Sequence, residues 1–487
     1  MPQDKPNEQA LPNRQTDFPG WYHDLVMRAE LAEEAPVRGC MVVRPYGWTL
    51  WENAQAILDR RFKETGVVNA AFPLLIPRSF LVKESDHVEG FVPEVAWVTQ
   101  VGSGQEELAE PLAIRPTSEA IIGPIYAKWV QSYRDLPILI NQWCSVMRWE
   151  KRPRLFLRTT EFWWQEGHTA HASEAEAEER TRQMLEVYRA FLEEDMAIPV
   201  IPGLKSEAQK FPGALRTYTV EAMMGDGKAL QSGTSHNLGD HFARAYDIQY
   251  LDESNTRQYA WTTSWGMSTR IIGATIMVHG DQQGLILPPR VAPYQAVIIP
   301  IYRSDDQKAA VLAAVDRAAA ILKGAGVRVK VDASDARSTG WKFNEWELKG
   351  VPLRVEIGPR DVENNTVVLA RRDRPGKEGK EFVGVDALGM RALELLEEIQ
   401  RALYQRAVDF REANTVNART VAELAEAVAA SKFARAYWSG DPLGEERIKQ
   451  ETGATVRCIP IDQPGEEGQC ITSAVSTTQQ AIFARAY

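Results

Sequence analysis

The sequence predicts an α+β chain: helices on a large antiparallel sheet, then a small α/β domain, then a third unit with weaker patterning. Three observations carry this. Two strand-like runs, "PILINQWCSVMRWE" and "RTTEFWWQEGH", flank a short basic loop and read as an antiparallel pair. A Pro-rich break, "ILPPRVAPYQ", is followed by strands alternating with helices, the pattern of a mostly parallel sheet. At 487 residues the chain is too long for one core, so roughly two to four domains are expected.

Taken in order, "MPQDKPNEQALPNRQTD" is polar and Pro-rich and reads as a disordered tail over residues 1–16. "WTLWENAQAILDRRFKETG" is an amphipathic helix, with Trp51, Ala54, Leu58 and Phe62 at helical spacing. Thr49 and Glu52 have capping-box spacing, and Gly66 suits the stop. The strand "VVNAAF" follows and ends at Pro73. After the strand pair comes a charged helix from about Glu174 to Glu194, started by Ser173, with Met184, Tyr188 and Phe191 on its buried face. "KALQSGTSH", "AYDIQYL" and "QYAWTTSWG" are strand-like, and the helix "TRIIGATIMVHG" closes the region. Beyond the break, "AVIIPIY", "VRVKVD", "PLRVEIG" and "TVVLARR" are strands, with a helix between the first two and a long one from about Leu388. The pentapeptide "FARAY" at Phe242, Phe433 and Phe483 has unequal spacing and unmatched flanks, so it is no structural repeat.

No run of about 18 apolar residues is present, so no membrane span or membrane partner is expected. The N-terminus lacks the apolar core of a signal peptide. Cys40, Cys144, Cys458 and Cys470 form no disulfide framework, which fits a reducing cytoplasm. The net charge of −10 argues mildly against nucleic acid, because phosphate binding needs cations. Local patches do the binding, however. Arg148–Arg158 carries five basic residues against one acid, and Arg371–Lys380 carries another five. Either could equally be a solvated basic loop.

Strand alternation decides what the pair presents. Arg148 and Glu150 share a face, with Trp149 opposite. On the second strand Trp164, Glu166 and His168 share a face, with Trp163 and Gln165 opposite. Such a surface is either a buried Arg–Glu network or the lining of a pocket, because charge on an inner face needs a partner or a ligand. His168 and His171 suggest a metal, but residues three apart on a strand face opposite sides. The zinc-protease motif His-Glu-x-x-His is also absent. His236 and His241 could add ligands, yet a metal hydrolase built on these histidines is disfavoured.

Several stretches together resemble the class II aminoacyl-tRNA synthetases, and specifically the prolyl-tRNA synthetases of archaeal/eukaryotic-like type. The helix above with "VVNAAFPLLIP" resembles motif 1, "RWEKRPRLFLRTTEF" motif 2, and "SWGMSTRIIGA" motif 3. "RPTSE" from Arg115, "WQEGHTAH" and "QSGTSHNLG" resemble the prolyl-specific signatures. The resemblance runs from about Phe18 to the C-terminus. It implies a class II catalytic domain on an antiparallel sheet over 17–290, an α/β anticodon-binding domain over 291–405 and a small α/β C-terminal domain over 406–487.

It also implies a proline–tRNA ligase. ATP is a substrate with Mg2+, L-proline and tRNA(Pro) are partners, and the enzyme is a homodimer through motif 1. Activation needs no proton transfer, so positioning and charge stabilisation can carry it. Arginine, forked and always charged, suits that task. By resemblance Arg148 meets the α-phosphate and the proline carboxylate, and Arg158 and Arg270 hold the outer phosphates. Phe162 stacks on adenine with Arg270 on its other face, Glu150 helps hold the adenine, and Thr159, Gln231 and Thr234 help fix the nucleotide. Thr117 and Glu119 accept the proline amine, and Trp164 and Phe211 wall its ring. Glu166, His168, His236 and Ser264 complete that pocket, although Glu166 and His168 could be a hydrogen-bonded pair shaping the wall without touching substrate. Arg148 and Arg270 are the catalytic pair.

"GWKFNEWELKGVPLRVEIGPRD" resembles the anticodon-domain signature, implying that Glu347, Arg354, Arg360 and Asp361 read two guanines. Arginine pairing with guanine edges makes chemical sense. About a hundred residues separate Phe162 from Ser264, too few for the editing insertion of bacterial-type relatives, so alanine or cysteine activated in error is expected to go uncorrected in cis. Relatives often hold zinc in the C-terminal unit with four cysteines. Here only Cys458 and Cys470 are present, so zinc is not expected. The family's terminal tyrosine is kept as Tyr487, implying an active-site carboxylate. The alternative function is a non-catalytic paralogue that binds proline or tRNA; loss of Arg148 or Arg270 would favour it, and both are present.

Overall fold

Two sheets organise the molecule. The computed structural model describes residues 10–87, 94–103, 106–473 and 475–487. The larger sheet has eleven strands, in the order 415–417, 433–437, 480–484, 455–460, 200–204, 216–223, 229–239, 261–268, 161–171, 138–147 and 68–69. It is antiparallel except for the outermost pairing at each end, which is parallel. The expected strand pair is present as Ile138–Met147 against Glu161–His171, in register from Ile138↔Ala170 to Met147↔Glu161. The helices Pro45–Glu64, Glu174–Ala190 and Arg270–His279 contribute Leu58, Phe62, Met184, Tyr188, Ile271 and Ile272 to one apolar core, together with Trp21 and Trp265.

Local chemistry explains the termini that differ from expectation. The first long helix begins at Pro45, four residues before Thr49; proline there has its φ preset and no N–H to leave unpaired. Glu52 instead accepts from Trp48 Nε1 at 3.0 Å. "VVNAAF" is paired only at Val68–Asn69. "AYDIQYL" splits into the helix His241–Tyr246, a left-handed Asp247 (φ 61°) and the strand Gln249–Leu251. Part of the expected N-terminal tail is anchored. Leu11 is buried, the Arg14 amide donates to Gln282 Oε1 at 2.9 Å, and the Arg14 guanidinium lies over the rings of Phe18 and Trp21. Residues 1–9 lie outside the described residues.

The second sheet orders its strands 329–331, 296–300, 353–357, 366–371 and 380–384. Its first two pairings are parallel and its last two antiparallel, so it is mixed rather than mostly parallel. The reason is that Leu353–Ile357, Thr366–Arg371 and Lys380–Gly384 follow one another without a crossover long enough to restore direction. The boundary expected between residues 405 and 406 falls inside one helix, Leu388–Ala413. The chain beyond it returns to extend the large sheet, because Ile459 and Pro460 pair with Leu204 and Gly203.

Candidate active site

A cavity of about 460 Å3 opens on the face of the large sheet where Trp164, Glu166 and His168 project. Strand alternation sends Trp163 the other way, against Trp48 with ring centroids 5.3 Å apart, and Gln165 towards Tyr188. Both nucleotide and proline candidates converge here. Thr117, Glu119, Arg148, Glu150, Arg158, Thr159, Phe162 and Trp164 line it, as do Glu166, His168, Phe211, Gln231, Thr234, His236, Ser264 and Arg270.

One end is cationic. Arg270 opens the helix Arg270–His279, and its guanidinium donates to Leu157 O at 3.1 Å and Gln231 O at 3.4 Å. Enclosure by protein, with Arg148 and Arg158 nearby, pulls its pKa down to about 10. Arg148 Nε donates to Pro116 O at 2.8 Å, and the guanidinium lies 5.1 Å from the Trp164 ring and 5.5 Å from that of Phe162. Desolvation lowers its pKa as well, although its outer surface stays open to the cavity. The strand ends at Met147, so alternation does not govern Arg148–Glu150; Trp149, expected on the opposite face, lines the same cavity.

The other end is compact and acidic. Glu166 accepts from the Ser118 amide at 3.1 Å, Gln142 Nε2 at 2.7 Å and His168 Nε2 at 3.0 Å, and from the Ser118 hydroxyl. Burial would raise the Glu166 carboxyl, but His168 and these donors hold it down at about 2. Burial lowers His168 while the Glu166 bond and carboxylate charges raise it, with a net rise that favours the protonated ring beside the Glu166 carboxylate. Glu119 begins the helix Glu119–Trp129 and accepts the Thr117 hydroxyl. Ligand atoms of Glu119, Glu166 and His168 lie within 4.8 Å of one another, a set of metal-binding type that did not involve His171. His236 is driven by burial and by His168 and Arg148 to about 3, hence neutral, and its ring lies 4.7 Å from Phe211. Thr159 Oγ1 and Ser264 Oγ are buried there with no hydrogen-bond partner among the described residues.

Sequence reasoning missed Gln209, Lys210, Pro212 and Thr217, which also line the cavity. Gly266 also lines it; it sits opposite Glu166, and a Cβ there would come within 3.2 Å of Trp164. His171 faces away, hydrogen-bonded to Thr169 at 2.8 Å, with burial lowering it to about 4. Tyr487 does not line this cavity. It lines a neighbouring one of about 340 Å3 that shares Leu157 and Thr159, and its hydroxyl donates to Asp226 at 2.6 Å.

In the α/β unit Glu347 and Arg354 line a small cavity of about 40 Å3 with Arg371, Arg372 and Lys380. Arg360 and Asp361 do not join them. They lie on the next short helix, where Asp361 accepts the Gly358 amide at 2.8 Å as a cap. Of the second basic stretch, Arg371 pairs with Asp373 and Glu398, and Arg372 with Asp281, so neither is a solvated surface charge. Cys458 and Cys470 belong to different apolar clusters. Burial pushes Cys458 up to about 12; Cys470, despite burial, is brought to about 6 by Ser439, Ser473 and Thr472.

Comparison with known proteins matches three families along the chain. Residues 98–279 match the tRNA synthetase class II core domain (G, H, P, S and T), 295–385 the anticodon binding domain, and 421–487 the prolyl-tRNA synthetase C-terminal family. The proline–tRNA ligase of Chloroflexus aggregans is 60% identical over 482 residues, covering 99% of this chain and 100% of the relative. The chloroplastic/mitochondrial proline–tRNA ligase of Arabidopsis thaliana is 52% identical over 484 residues, covering 99% and 89%. The crystal structure of prolyl-tRNA synthetase from Cryptosporidium parvum, complexed with halofuginone and AMPPNP, superposes with a TM-score of 0.93 at 40% identity, over 98% of this chain and 99% of that one.

Proposed function

The chain belongs to the prolyl-tRNA synthetase family of class II ligases, and we propose that its large cavity takes ATP at the arginine end and L-proline at the acidic end. It is a proline–tRNA ligase. It activates L-proline with ATP to prolyl-adenylate and pyrophosphate, then transfers proline to the 3′ end of tRNA(Pro). The observation that carries the site assignment is the meeting, in one cavity, of Arg148, Arg158 and Arg270, which make no ion pair with a carboxylate among the described residues, and a compact acidic pocket.

In the first step a proline carboxylate oxygen bonds to the α-phosphorus, and the bond to the pyrophosphate oxygen breaks with its electron pair. No proton moves, so the chain's task is to align the two anions and offset their charge. Arg148, between the two ends, serves the α-phosphate and the carboxylate. Arg158 and Arg270 hold the outer phosphates, and Phe162 stacks on adenine. Glu150, Thr159, Gln231 and Thr234 fix the nucleotide. In the second step a terminal ribose hydroxyl attacks the carbonyl carbon and AMP leaves with the bonding pair; the hydroxyl proton passes to phosphate or solvent.

Proline's ammonium donates to Glu119 and Thr117. Glu166 already accepts from Ser118, Gln142 and His168, so the acidic set favours an N–H donor at Glu119 over a metal ion. Glu166 and His168 therefore shape the wall, with Trp164, Phe211, His236 and Ser264 around the ring. Mg2+ accompanies ATP. Among the described residues Glu150 is the only cavity carboxylate at the nucleotide end, and it already accepts the Arg152 amide at 2.9 Å. One carboxylate is too few to hold the ion by protein alone, so it enters on the phosphates.

Glu347 and Arg354 contact anticodon bases. Homodimerisation uses the motif 1 edge, which is supported by exposed Val68, Leu74 and Leu75 beside the terminal strand. A cytoplasmic location is supported by four free cysteines. No helix among the described residues is long and apolar enough to cross a membrane.

Proline-dependent ATP–pyrophosphate exchange tests the assignment. Glu119→Gln should raise KM for proline about tenfold or more, the loss of a charge-assisted bond, and leave KM for ATP within about twofold. A shift in KM for ATP instead would reverse the two ends.

A further inference from the structure

The loop between the strands Val200–Leu204 and Arg216–Met223 carries Gln209, Lys210, Phe211 and Pro212 to the cavity. It is tied at two places. Near its far end the Phe211 amide donates to Thr217 Oγ1 at 2.9 Å, and the same hydroxyl meets His236 Nδ1 at 3.0 Å. One threonine thus joins two walls of the acidic end.

The root is tied by the C-terminal unit. Lys205 Nζ donates to Glu221 Oε1 at 2.6 Å and to Arg457 O at 2.8 Å. The Arg457 guanidinium also donates to Glu221, at 3.0 Å. The Ser206 hydroxyl donates to Glu445 Oε1 at 2.9 Å, and both residues are buried. Glu445 lies on the helix Pro442–Thr452, and Arg457 on the strand Thr455–Pro460 that pairs beside Gly203 and Leu204. That pairing needs glycine, since a Cβ at residue 203 would lie 2.5 Å from Ile459 O. The contacts at Gly203, Leu204, Lys205 and Ser206 fall within two residues of Leu204, where the loop leaves the sheet.

We propose that the C-terminal unit sets the affinity for proline by fastening the root of this loop, so that Phe211 is held against the proline end before substrate arrives. Ser206 and Glu445 are positioning residues; neither lines the cavity. A wall that must be ordered on binding subtracts from affinity, and one fixed beforehand does not. The inference rests on the reading that Phe211 walls the proline site.

The test uses the full chain and pyrophosphate exchange, with thermal unfolding as a check on folding. Ser206→Ala and Glu445→Ala should each raise KM for proline about threefold to tenfold, the range expected for a lost buried hydrogen bond. KM for ATP and kcat should stay within about twofold. The double variant should be no worse than about the larger single one, because both remove the same bond. Glu445→Gln should retain near-normal KM, since its amide oxygen still accepts the serine hydroxyl. Phe211→Ala separates the two readings. If it raises KM for proline while Ser206→Ala and Glu445→Ala do not, the fastening role is overturned and the pocket stands. If Phe211→Ala itself leaves KM unchanged, the pocket assignment fails and takes the inference with it. Equal rises in KM for proline and ATP would mean general loosening, which also overturns the proposal.

Discussion

In the catalytic cavity Arg148 and Arg270 make no ion pair with a carboxylate among the described residues, and each has its pKa lowered by enclosure. The cations lining the small cavity of the α/β unit are matched: Arg354 and Lys380 share Glu356, Arg371 holds Asp373 and Glu398, and Arg372 holds Asp281. The difference tracks the charge of the proposed ligands. A polyanion such as ATP brings its own countercharge, so a site for it can leave arginines uncompensated and mutually repelling. Base edges are neutral and need directed donors and acceptors at near-zero net charge.

The largest test of this contrast is Arg148→Ala or Arg270→Ala. Each should lower kcat/KM in pyrophosphate exchange about 10^3-fold, the scale of removing one charge stabiliser from a transition state. A loss under about tenfold would break the claim that these cations await the nucleotide. On the other side, Arg354→Ala should lower kcat/KM for tRNA in aminoacylation about tenfold to a hundredfold and leave tRNA-free exchange unchanged. Asp361→Ala sharpens it: as a cap, it should cost about 1 kcal/mol of stability and change tRNA kinetics by less than about twofold.

Acid sensitivity also separates the units, since all seven histidines precede residue 290. His236 and His279 are lowered to about 3 and His171 to about 4 by burial. A depressed histidine binds a proton more readily unfolded, so its contribution is present above about pH 6.5 and is lost as pH falls from there towards its folded value. His168 is raised, so its contribution is full below about pH 6.5 and fades as pH rises through its folded pKa. Three against one leaves a net loss below neutrality, up to about 1.4 kcal/mol per pH unit for each depressed group. Thermal unfolding at about pH 5.5 should start in the catalytic unit at a lower temperature than at about pH 7.5. An increase would contradict the buried neutral state of these rings.

What was legible in the sequence followed from periodicity. Trp164, Glu166 and His168 share a face because strand side chains alternate, and the paired-histidine metal site failed for the same reason. Arg148 and Glu150 reached the cavity although the alternation argument for them did not apply, because the strand had ended. Arg360 and Asp361 sit next to a strand that contributes Arg354, yet a helix start turns them elsewhere. Gln209, Lys210 and Pro212 carried no signal, because a loop has no period.

The sequence by itself determined the main strands and helices of the catalytic sheet, the residue types at the site, and the family signatures that tie them to proline and ATP. Those are local properties, written in spacing and side-chain chemistry. Only the tertiary structure decided that the last residues of the chain complete the catalytic sheet. It also decided that Glu445 and Arg457 hold a loop more than two hundred residues earlier, as the Ser206–Glu445 separation of 239 shows. Such contacts join segments far apart in the chain, where no pattern in either segment names its partner.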